Sequence, residues 1–453
     1  MTKTIFISIF EGVEAKNILR TPILETLLKK SDIRIVLFTK NEERVRYYQE
    51  QFDDPRIVYE VVTRIPPRGF DALFSKLKFT LLRTKTTDLK RRMALDSSKN
   101  IFKYAGGVLL NRLLARPIVR RIVRKLDCSF VKDKRYDEYF KGYKPDLVFL
   151  AHLFDEPEIE ILRAAKKHGV RSVGFVNSWD KGTARSIVRL LPDTFVVFND
   201  IVKKEMIVHN EMKGEDIFVS GLPQYDIFKS HTPISREAFF KRYGFDTKKR
   251  LIVYAPMGRA FGNTDWEMID LLTVMVKENK IENAELLVRF QPNDFLEEDE
   301  LKKRPTLVYD YPGKRFSTKR GVDWDMDDKD LKHLADTLAN ASVIVSFASS
   351  ISIDALAYDK QTVAINFEPK GNRRLQESPT QYYHTEHYEN VLKTGGVVLA
   401  DSEEQLVEKI NHFLDHPEDN KDNRARLKRE QWQFEDGKVG ERIGAFLLRQ
   451  IEK

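Results

Sequence analysis

The chain contains only one cysteine, Cys128, among its 453 residues. An intrachain disulfide is therefore impossible, and a metal site built from several cysteines is excluded. The sequence also lacks an uninterrupted apolar run of about 18 residues, the length that a transmembrane helix needs. Internal repeats and low-complexity tracts are missing as well, which excludes repeat architectures. Because a reducing compartment suits this cysteine content, we expect a cytoplasmic protein.

The composition is that of a globular protein, with 42% hydrophobic and 32% charged residues. A chain of this length can form two domains of ordinary size. The N-terminal segment MTKTIFISIFEG has a short apolar run but no small-residue cleavage site. We interpret it as a first β-strand rather than a signal peptide, followed by one helix over Ala15 to Lys30.

Strand and helix patterns alternate along nearly the whole chain, which predicts an α/β fold with parallel sheets. The pattern weakens between Gly221 and Lys249, and we place the domain boundary there. We predict an N-terminal domain over 1–228, a C-terminal domain over 229–436, and a last helix over 437–453 that packs back on the N-terminal domain. Ligands of open α/β sheets bind beyond the carboxyl ends of the strands, so the loops after strands are the candidate sites.

A predicted strand, a turn of small residues and a predicted helix follow one another between Ala341 and Phe367. The turn contains Ser346, Ser349 and Ser350, and the helix is expected from Ile351 to Tyr358. Free backbone N–H groups at a helix start attract an anion, and serine hydroxyls add donors. The turn suits the diphosphate of an activated sugar nucleotide, although a serine in this place is equally typical of a simple helix cap.

Two further strands of the C-terminal half end in residues that suit a phosphate. A glycine such as Gly258 lets the backbone approach a ligand closely, and arginine forks grip phosphate oxygens. Each arginine is also compatible with an ordinary surface ion pair. Asp354 could meet a ribose hydroxyl or complement the helix dipole. The predicted donor-side residues are Gly258, Arg259, Arg289, Ser346, Ser349, Ser350 and Asp354.

Acidic residues and a histidine follow strands of the N-terminal half. An acceptor hydroxyl needs a general base, which is usually a carboxylate or an imidazole. The candidate bases are Glu11, His152, Asp155 and Asp180. Polar residues in such loops are also commonly helix caps or surface groups. Additional candidates for contact with the acceptor or the donor are Ser178, Lys181, His384 and His387.

The segment from Arg64 to Asp127 is strongly basic. It contains 17 Lys and Arg residues against 4 Asp and Glu residues, whereas the whole chain has a net charge of only +8. Apolar residues at helical spacing predict a helical insertion here. One interpretation is a helical layer with a solvated basic face, and another is a basic amphipathic surface on the inner face of an anionic membrane. Nucleic acid is disfavoured because no nucleic-acid-binding motif is present.

Several short motifs occur in a characteristic order, namely KPDLV at 144–148, VSGLPQYD at 219–226, VYAP at 253–256, RFQP at 289–292, the serine turn with Asp354 and Ala355, and DGK at 436–438. Together they resemble the GT-B-fold transferases of surface-polysaccharide synthesis. The resemblance is to CDP-glycerol glycerophosphotransferases and surface-carbohydrate glycosyltransferases, which share their architecture with UDP-GlcNAc 2-epimerases.

The resemblance implies two Rossmann-like domains that face each other across a cleft, with the nucleotide donor on the C-terminal domain and the acceptor on the N-terminal domain. It implies a glycosyltransferase that moves a sugar from a nucleotide-sugar donor to a hydroxyl of a surface-glycan or lipid-linked acceptor, with no tightly bound cofactor and no metal. The acids Asp323, Asp325, Asp327 and Asp328 are interpreted as a loop and a helix start rather than a metal site, because acidic residues are expected in the first turn of a helix.

Two departures from the family pattern bear on the donor. Asn177 to Asp180 stand where glycerophosphotransferases carry a His-Gly pair, and Gln291 replaces the usual histidine of the RxHP motif. The missing histidine of the His-Gly pair favours a sugar donor over glycerol phosphate, and Gln291 removes a second titratable group. The alternatives are an epimerase or a glycerophosphotransferase of the same fold, and a non-catalytic glycan-binding protein.

Overall fold

The computed structural model describes residues 2–318, 323–371 and 373–452. The described residues form an α/β structure in which two parallel sheets carry the core and helices connect their strands. No helix among them is long and apolar enough to cross a membrane.

The chain divides into two compact units, which are described separately. The first unit comprises Met1–Arg91, Ile101–Asp226 and Trp432–Lys453, and the second comprises Arg92–Asn100 and Ile227–Gln431. The division after Asp226 lies two residues before the predicted boundary at 228. The C-terminal return to the first unit begins at Trp432, not at the predicted 437.

The first unit has a seven-stranded parallel sheet in the order β3-β2-β1-β4-β5-β6-β7. The central strand β1 pairs with β2 and β4, and Ile5 lies opposite both Ile35 and Leu147. Its residues are nearly all buried, as expected for a strand covered on both faces. The strands are β1 (Lys3–Ser8), β2 (Ile33–Thr39), β3 (Ile57–Val61), β4 (Leu147–Leu150), β5 (Arg171–Phe175), β6 (Thr194–Val197) and β7 (Ile217–Val219).

The helices of the first unit include four in succession in the basic segment, α4 to α7. The helices are α1 (Gly12–Ile18), α2 (Pro22–Leu28), α3 (Glu42–Gln49), α4 (Gly69–Thr80), α5 (Lys85–Ser98), α6 (Ile101–Leu114), α7 (Pro117–Phe130), α8 (Asp137–Tyr143), α9 (Glu156–His168), α10 (Lys181–Ala184) and α11 (Asp200–Asn210). The end of α5 belongs to the second unit. Short 3₁₀ turns cover Gly214–Asp216 and Pro223–Asp226.

The predicted single helix over 15–30 is wrong, because the structure has two helices, α1 and α2, in this region. Pro22 is the first residue of α2, and Thr21 before it is extended. A proline has no N–H to donate and disfavours helical backbone in the residue before it, so one helix ends and another begins here.

The second unit has a six-stranded parallel sheet in the order β10-β9-β8-β13-β14-β15 and a two-stranded antiparallel ribbon of β11 and β12. The apolar core lies on the sheet, where Ile252, Val345 and Val363 are fully buried. The strands are β8 (Arg250–Ala255), β9 (Ala284–Arg289), β10 (Tyr309–Asp310), β11 (Lys314–Arg315), β12 (Trp324–Asp325), β13 (Val343–Ser346), β14 (Gln361–Ile365) and β15 (Val397–Ala400).

Helices of the second unit connect these strands, and a final helix returns to the first unit. The helices are α12 (Ile227–Ser230), α13 (Arg236–Tyr243), α14 (Asp265–Lys277), α15 (Glu298–Lys302), α16 (Asp328–Asn340), α17 (Ile351–Asp354), α18 (Glu386–Leu392), α19 (Glu403–Asp415), α20 (Lys421–Trp432) and α21 (Val439–Ile451). Further 3₁₀ turns cover Ala355–Tyr358 and Pro379–His384. In the first unit α21 packs closely on α2, since a Cβ added at Gly444 would lie 2.7 Å from Thr26 Cβ.

Candidate functional site

Three polar loops of the second unit follow neighbouring strands of its sheet. They come after β9, β8 and β13, which lie side by side in that order. Since all three strands are parallel, their carboxyl ends are at one edge, where ligands of open α/β sheets bind. The structure therefore brings the donor-side segments predicted from the sequence to one edge of one sheet.

The loop after β8 is held by Asp265, the first residue of α14. Its carboxylate accepts hydrogen bonds from the backbone N–H groups of Met257 at 3.0 Å and Gly258 at 2.8 Å. Burial raises the pKa of Asp265 to about 6. Gly258 has a left-handed φ of +85°, and a Cβ there would lie 2.9 Å from Asp294 Oδ2. Gly258 thus shapes the loop, and its N–H donates to Asp265.

Arg259 lies in a small pocket between the loops after β8 and β9. Its backbone N–H donates to Asp294 Oδ2 at 2.7 Å, and its half-exposed guanidinium pairs with Glu297 at 2.9 Å. Trp266 Nε1 donates to the same Glu297 carboxylate at 2.7 Å. Gln291 Nε2 joins the two loops by donating to Pro256 O at 3.2 Å. Of the predicted cations, Arg259 has the more accessible charge.

Arg289 is placed differently from what the sequence suggested. It is predicted to grip a phosphate, but its side chain is only 5% exposed and pairs with Asp310 at 3.0 Å. Asp310 lies opposite Arg289 in the β9–β10 register and also bonds to His333 and Tyr243. Burial alone would raise the pKa of Asp310, but the hydrogen bond from His333 and the charge of Arg289 lower it below its usual value. A buried ion-pair network is therefore the observed environment of Arg289.

The serine turn lies between β13 and α17. Ser346 is fully buried, and its hydroxyl donates to Phe347 O at 2.9 Å, so this side chain has a structural partner. Ser349 is half-buried and Ser350 is exposed. Among the described residues, the backbone N–H of Ser350 has no hydrogen-bond acceptor, whereas that of Ser349 donates to the hydroxyl oxygen of Tyr388. The expected helix over 351–358 consists of α17 and a 3₁₀ turn.

Three further predicted contact residues lie on the elements that follow the serine turn. They are Asp354 in α17, His384 in a 3₁₀ turn and His387 in α18. Asp354 is the half-buried last residue of α17. His384 is exposed at the end of a 3₁₀ turn, and His387 Nε2 lies 3.4 Å from Thr385 Oγ1. The next residue, Tyr388, reaches Ser352 Oγ with its hydroxyl at 3.4 Å, so α18 packs against the serine turn.

In the first unit, His152 and Asp155 lie close together after β4. His152 Nδ1 lies 3.2 Å from Asp155 Oδ2. Burial, together with the positive charge of Lys181, lowers the pKa of His152 to about 4, so the imidazole is neutral at neutral pH. Burial would raise the pKa of Asp155, but the neighbouring His152 and the charge of Arg185 hold it well below its usual range. Neither ring nitrogen of His152 meets hydrogen-bond geometry with a partner among the described residues.

Two buried carboxyl groups beside this pair were not identified from the sequence. Glu14 is 2% exposed and Glu158 is 1% exposed, and Glu14 Oε1 lies 4.0 Å from His152 Nδ1. Burial raises the pKa of both groups. Glu158 accepts from the hydroxyl of Ser8 and from the backbone N–H of His152 at 2.7 Å. Glu14 and Glu158 each lie a few residues after a strand, in the first turn of the following helix. This position is the one feature of the sequence that could have identified them as site residues.

The other candidate bases have partners of their own. Glu11 precedes α1 and pairs with Lys40 at 3.2 Å. Asp180 precedes α10 and accepts from the hydroxyl of Ser178 at 2.5 Å. Lys181, the first residue of α10, contributes to the lowered pKa of His152 and therefore lies near it.

No group of three or more His, Cys, Asp or Glu residues that could hold a metal ion exists among the described residues. Trp324 and Asp325 form the short strand β12, and Asp327 caps α16 by accepting from Asp330 N at 2.9 Å. The acids that follow Asp323 thus take part in a strand and a helix cap.

Comparison with known families assigns the chain. The family model described as CDP-Glycerol:Poly(glycerophosphate) glycerophosphotransferase matches residues 191–449, which is more than half of the sequence. The chain belongs to this family. The match includes every predicted donor-side residue. No curated protein sequence matches the chain.

Solved structures with the same fold span both units. A putative UDP-N-acetylglucosamine 2-epimerase from Listeria monocytogenes is 13% identical, with a TM-score of 0.55, and the match covers 100% of this chain and 97% of that one. A glycosyltransferase from Rickettsia africae is 12% identical, with a TM-score of 0.51 and coverage of 100% and 99%. A variant of the wall teichoic acid polymerase TagF soaked with CDPG is 12% identical, with a TM-score of 0.50 and coverage of 99% and 89%. These likenesses confirm the predicted α/β fold of the GT-B class.

The family and the fold together make this glycerophosphotransferase-family member a transferase of the GT-B type. The resemblance to glycerophosphotransferases and to UDP-GlcNAc 2-epimerases, deduced from short motifs, is confirmed. The roles of individual residues stay predictions.

Proposed function

We propose that the protein transfers glycerol phosphate, or a closely related polyol phosphate, from a CDP-linked donor to a hydroxyl group of a surface polymer. The observation that carries this proposal is the family match over residues 191–449. It reverses the order of preference drawn from the sequence, where a nucleotide-sugar donor came first. A TagF structure soaked with CDPG has the same fold, which is compatible with the proposal.

The proposed donor site is the edge of the second sheet. The free N–H group of Ser350 would donate to the diphosphate, and the exposed Ser350 hydroxyl would add a further donor. The half-exposed guanidinium of Arg259 would supply positive charge. It would leave its ion pair with Glu297 and bind a phosphate oxygen instead. Because protein donors and charge would stabilise the leaving group in this arrangement, metal independence remains part of the proposal.

On the acceptor side, we propose that His152 is the general base. It is neutral at neutral pH, and the carboxylate of Asp155 orients Nδ1 and stabilises the protonated imidazole, as in other acid–base pairs. The acceptor oxygen would bond to the phosphorus next to glycerol, its proton would pass to the imidazole, and the P–O bond of the diphosphate would break. CMP then leaves with the bonding electrons.

A sugar donor is the second candidate, and Asn177 to Asp180 and Gln291 favour it by departing from the histidine-containing family motifs. Attack at an anomeric carbon releases a nucleoside diphosphate, whereas attack at the polyol phosphate releases a nucleoside monophosphate. The nucleotide product therefore distinguishes the two reactions, and an epimerase would convert the donor without an acceptor.

The experiment incubates the protein with CDP-glycerol or a panel of nucleotide sugars, with and without a poly(glycerol phosphate) primer, and identifies the nucleotide released. We expect acceptor-dependent CMP from CDP-glycerol, and a kcat at least about 100-fold lower in His152→Gln. Glu25→Gln, an exposed change in the same unit, is the matched control. Release of a nucleoside diphosphate from a nucleotide sugar would establish the second candidate, and turnover unchanged in His152→Gln would exclude this base.

A further inference from the structure

Three buried side chains at the carboxyl edge of the first sheet have polar atoms without partners. They are Asn17, His152 and Asn177, which are 0%, 4% and 3% exposed. Among the described residues, the unpartnered atoms are Asn17 Oδ1, both ring nitrogens of His152, and Oδ1 and Nδ2 of Asn177. Folded proteins pair nearly all of their buried polar atoms, because an unpaired one is costly. The concentration of such atoms at one edge therefore points to a ligand that pairs with them.

The three residues follow neighbouring strands of the sheet. The strands β1, β4 and β5 are adjacent and parallel. Asn17 lies in α1 after β1, His152 follows β4, and Asn177 follows β5. Asn17 Nδ2 lies 3.5 Å from Asn177 O, so α1 reaches across to the loop after β5. Because β4 lies between β1 and β5, the loop that contains His152 begins between the two segments that carry the asparagines.

The contacts of Asn17 fix which of its amide atoms is available. Its Nδ2 donates to Val13 O at 2.8 Å, so the unpartnered atom is the oxygen, a hydrogen-bond acceptor. Asn177 offers an acceptor and two donor hydrogens whichever way its amide is turned, since both of its polar atoms are unpartnered. The neutral ring of His152 offers one donor and one acceptor. The available groups are therefore a mixture of donors and acceptors.

This mixture suits hydroxyl groups better than a phosphate. A hydroxyl both donates and accepts, so it can pair with a carboxamide oxygen and with a carboxamide N–H. A phosphate oxygen without a proton only accepts, and the oxygens of the two asparagines and the lone pair of the imidazole would repel it. Two carboxamides on different segments can pair with two hydroxyls on adjacent carbon atoms.

We propose that Asn17 and Asn177 bind two neighbouring hydroxyl groups of the acceptor and present one of them to His152. The two asparagines would then select an acceptor that ends in a vicinal diol. This inference rests on the proposed function for the role of His152 and adds the residues that recognise the acceptor. A carboxamide does not ionise at neutral pH, so the asparagines bind and orient the acceptor and His152 takes the proton.

A purely structural asparagine would behave differently, and Asn210 of the same unit shows how. It is 0% exposed, and its Oδ1 accepts from Val188 N at 2.7 Å. Asn210→Leu would leave this N–H unpaired, so we expect its melting temperature to fall. Asn177→Leu removes only unpartnered atoms and nearly conserves the side-chain volume, so we expect its melting temperature to stay the same or to rise.

The test measures primer binding by titration calorimetry without any donor. One primer is poly(glycerol phosphate), and the other ends in propane-1,3-diol phosphate, which lacks the hydroxyl beside the terminal one. We expect the unchanged protein to bind the first primer at least about tenfold more tightly than the second. Asn177→Leu and Asn17→Leu are expected to bind the two primers alike, whereas Asn210→Leu should keep the preference of the unchanged protein.

Three results would overturn the proposal, namely no binding of either primer, equal binding of both by the unchanged protein, or a retained preference in the Asn177→Leu and Asn17→Leu variants. A melting temperature of Asn177→Leu as low as that of Asn210→Leu would overturn it too, since Asn177 would then be structural. The titration contains no donor, so its outcome does not depend on whether the protein releases CMP or a nucleoside diphosphate.

Discussion

At the residue scale, the structure separates two arginines that the sequence treated alike. Both follow strands of the second sheet, yet Arg289 is buried against Asp310 and Arg259 is half-exposed beside Glu297. A guanidinium that is already paired in the interior stabilises the fold, whereas an exposed one can change partners at little cost. The two residues should therefore respond differently to truncation.

We expect Arg289→Ala to lower the free energy of unfolding by about 3 kcal/mol or more, because Asp310 would keep a buried charge without its cation. For a unit of this size the melting temperature should fall by roughly 6 °C or more. Arg259→Ala should change it by less than about 2 °C and should weaken nucleotide binding instead. Thermal denaturation of both variants measures this, and an equal effect of the two on melting would contradict the assignment.

The sequence could not reveal this difference, because burial of Arg289 depends on the neighbouring strand β10. Its partner Asp310 is 21 residues away and lies on a two-residue strand that no periodic pattern marks. The buried Glu14 and Glu158 were missed for a related reason. Acidic residues in the first turn of a helix usually lie at the surface, where they interact favourably with the helix dipole. No feature of the local sequence distinguishes a buried acidic residue from an exposed one in this position.

At the element scale, strands and turns were easier to predict than helix ends. The strand, serine turn and helix between 341 and 358 could be predicted because a β-branched run, small residues and an apolar run follow in order. The helix predicted over 15–30 failed at Pro22, where apolar periodicity continues across a break in the backbone hydrogen bonds. Periodicity reports the buried face and not the continuity of the helix.

The first turns of α1 and α9 hold Glu14 and Glu158, both buried, and this predicts a pH dependence of stability. A carboxyl whose folded pKa is raised binds its proton more tightly in the folded state than in the unfolded chain, where it titrates near 4.3. Its stabilising effect is complete below that value and is lost as pH rises through the folded pKa. His152 is neutral in the folded state but half-protonated in the unfolded chain at about pH 6.5, so it adds a smaller opposing trend that fades by about pH 7.5.

We therefore expect the unfolding free energy to fall between about pH 6.5 and 8, and to fall less in Glu158→Gln, where the side chain cannot ionise. Urea denaturation across this range measures both slopes. Glu25→Gln, an exposed change on α2, should retain the slope of the unchanged protein. An identical slope in Glu158→Gln would show that Glu158 is already ionised in the folded state.

At the scale of the whole molecule, family and fold support one another through different residues. The family match begins at residue 191 and covers the donor-side loops, whereas the fold likeness extends over both sheets. Length, alternation of elements and ordered short motifs were sufficient to predict a two-part α/β transferase fold. The identity of the donor could not be predicted from the sequence, since the same sheet edge can bind donors of polyol phosphates and donors of sugars.

The central claim is that the edge of the second sheet binds the diphosphate of a CDP-linked donor through the serine turn. Titration calorimetry with CDP-glycerol tests it most directly, comparing the unchanged protein with Ser349→Asp/Ser350→Asp and the distant control Lys332→Glu. The account predicts binding to the unchanged protein and the control, and affinity at least about tenfold weaker in the serine variant, where carboxylates repel the phosphates. Equal affinity in all three proteins would contradict the account.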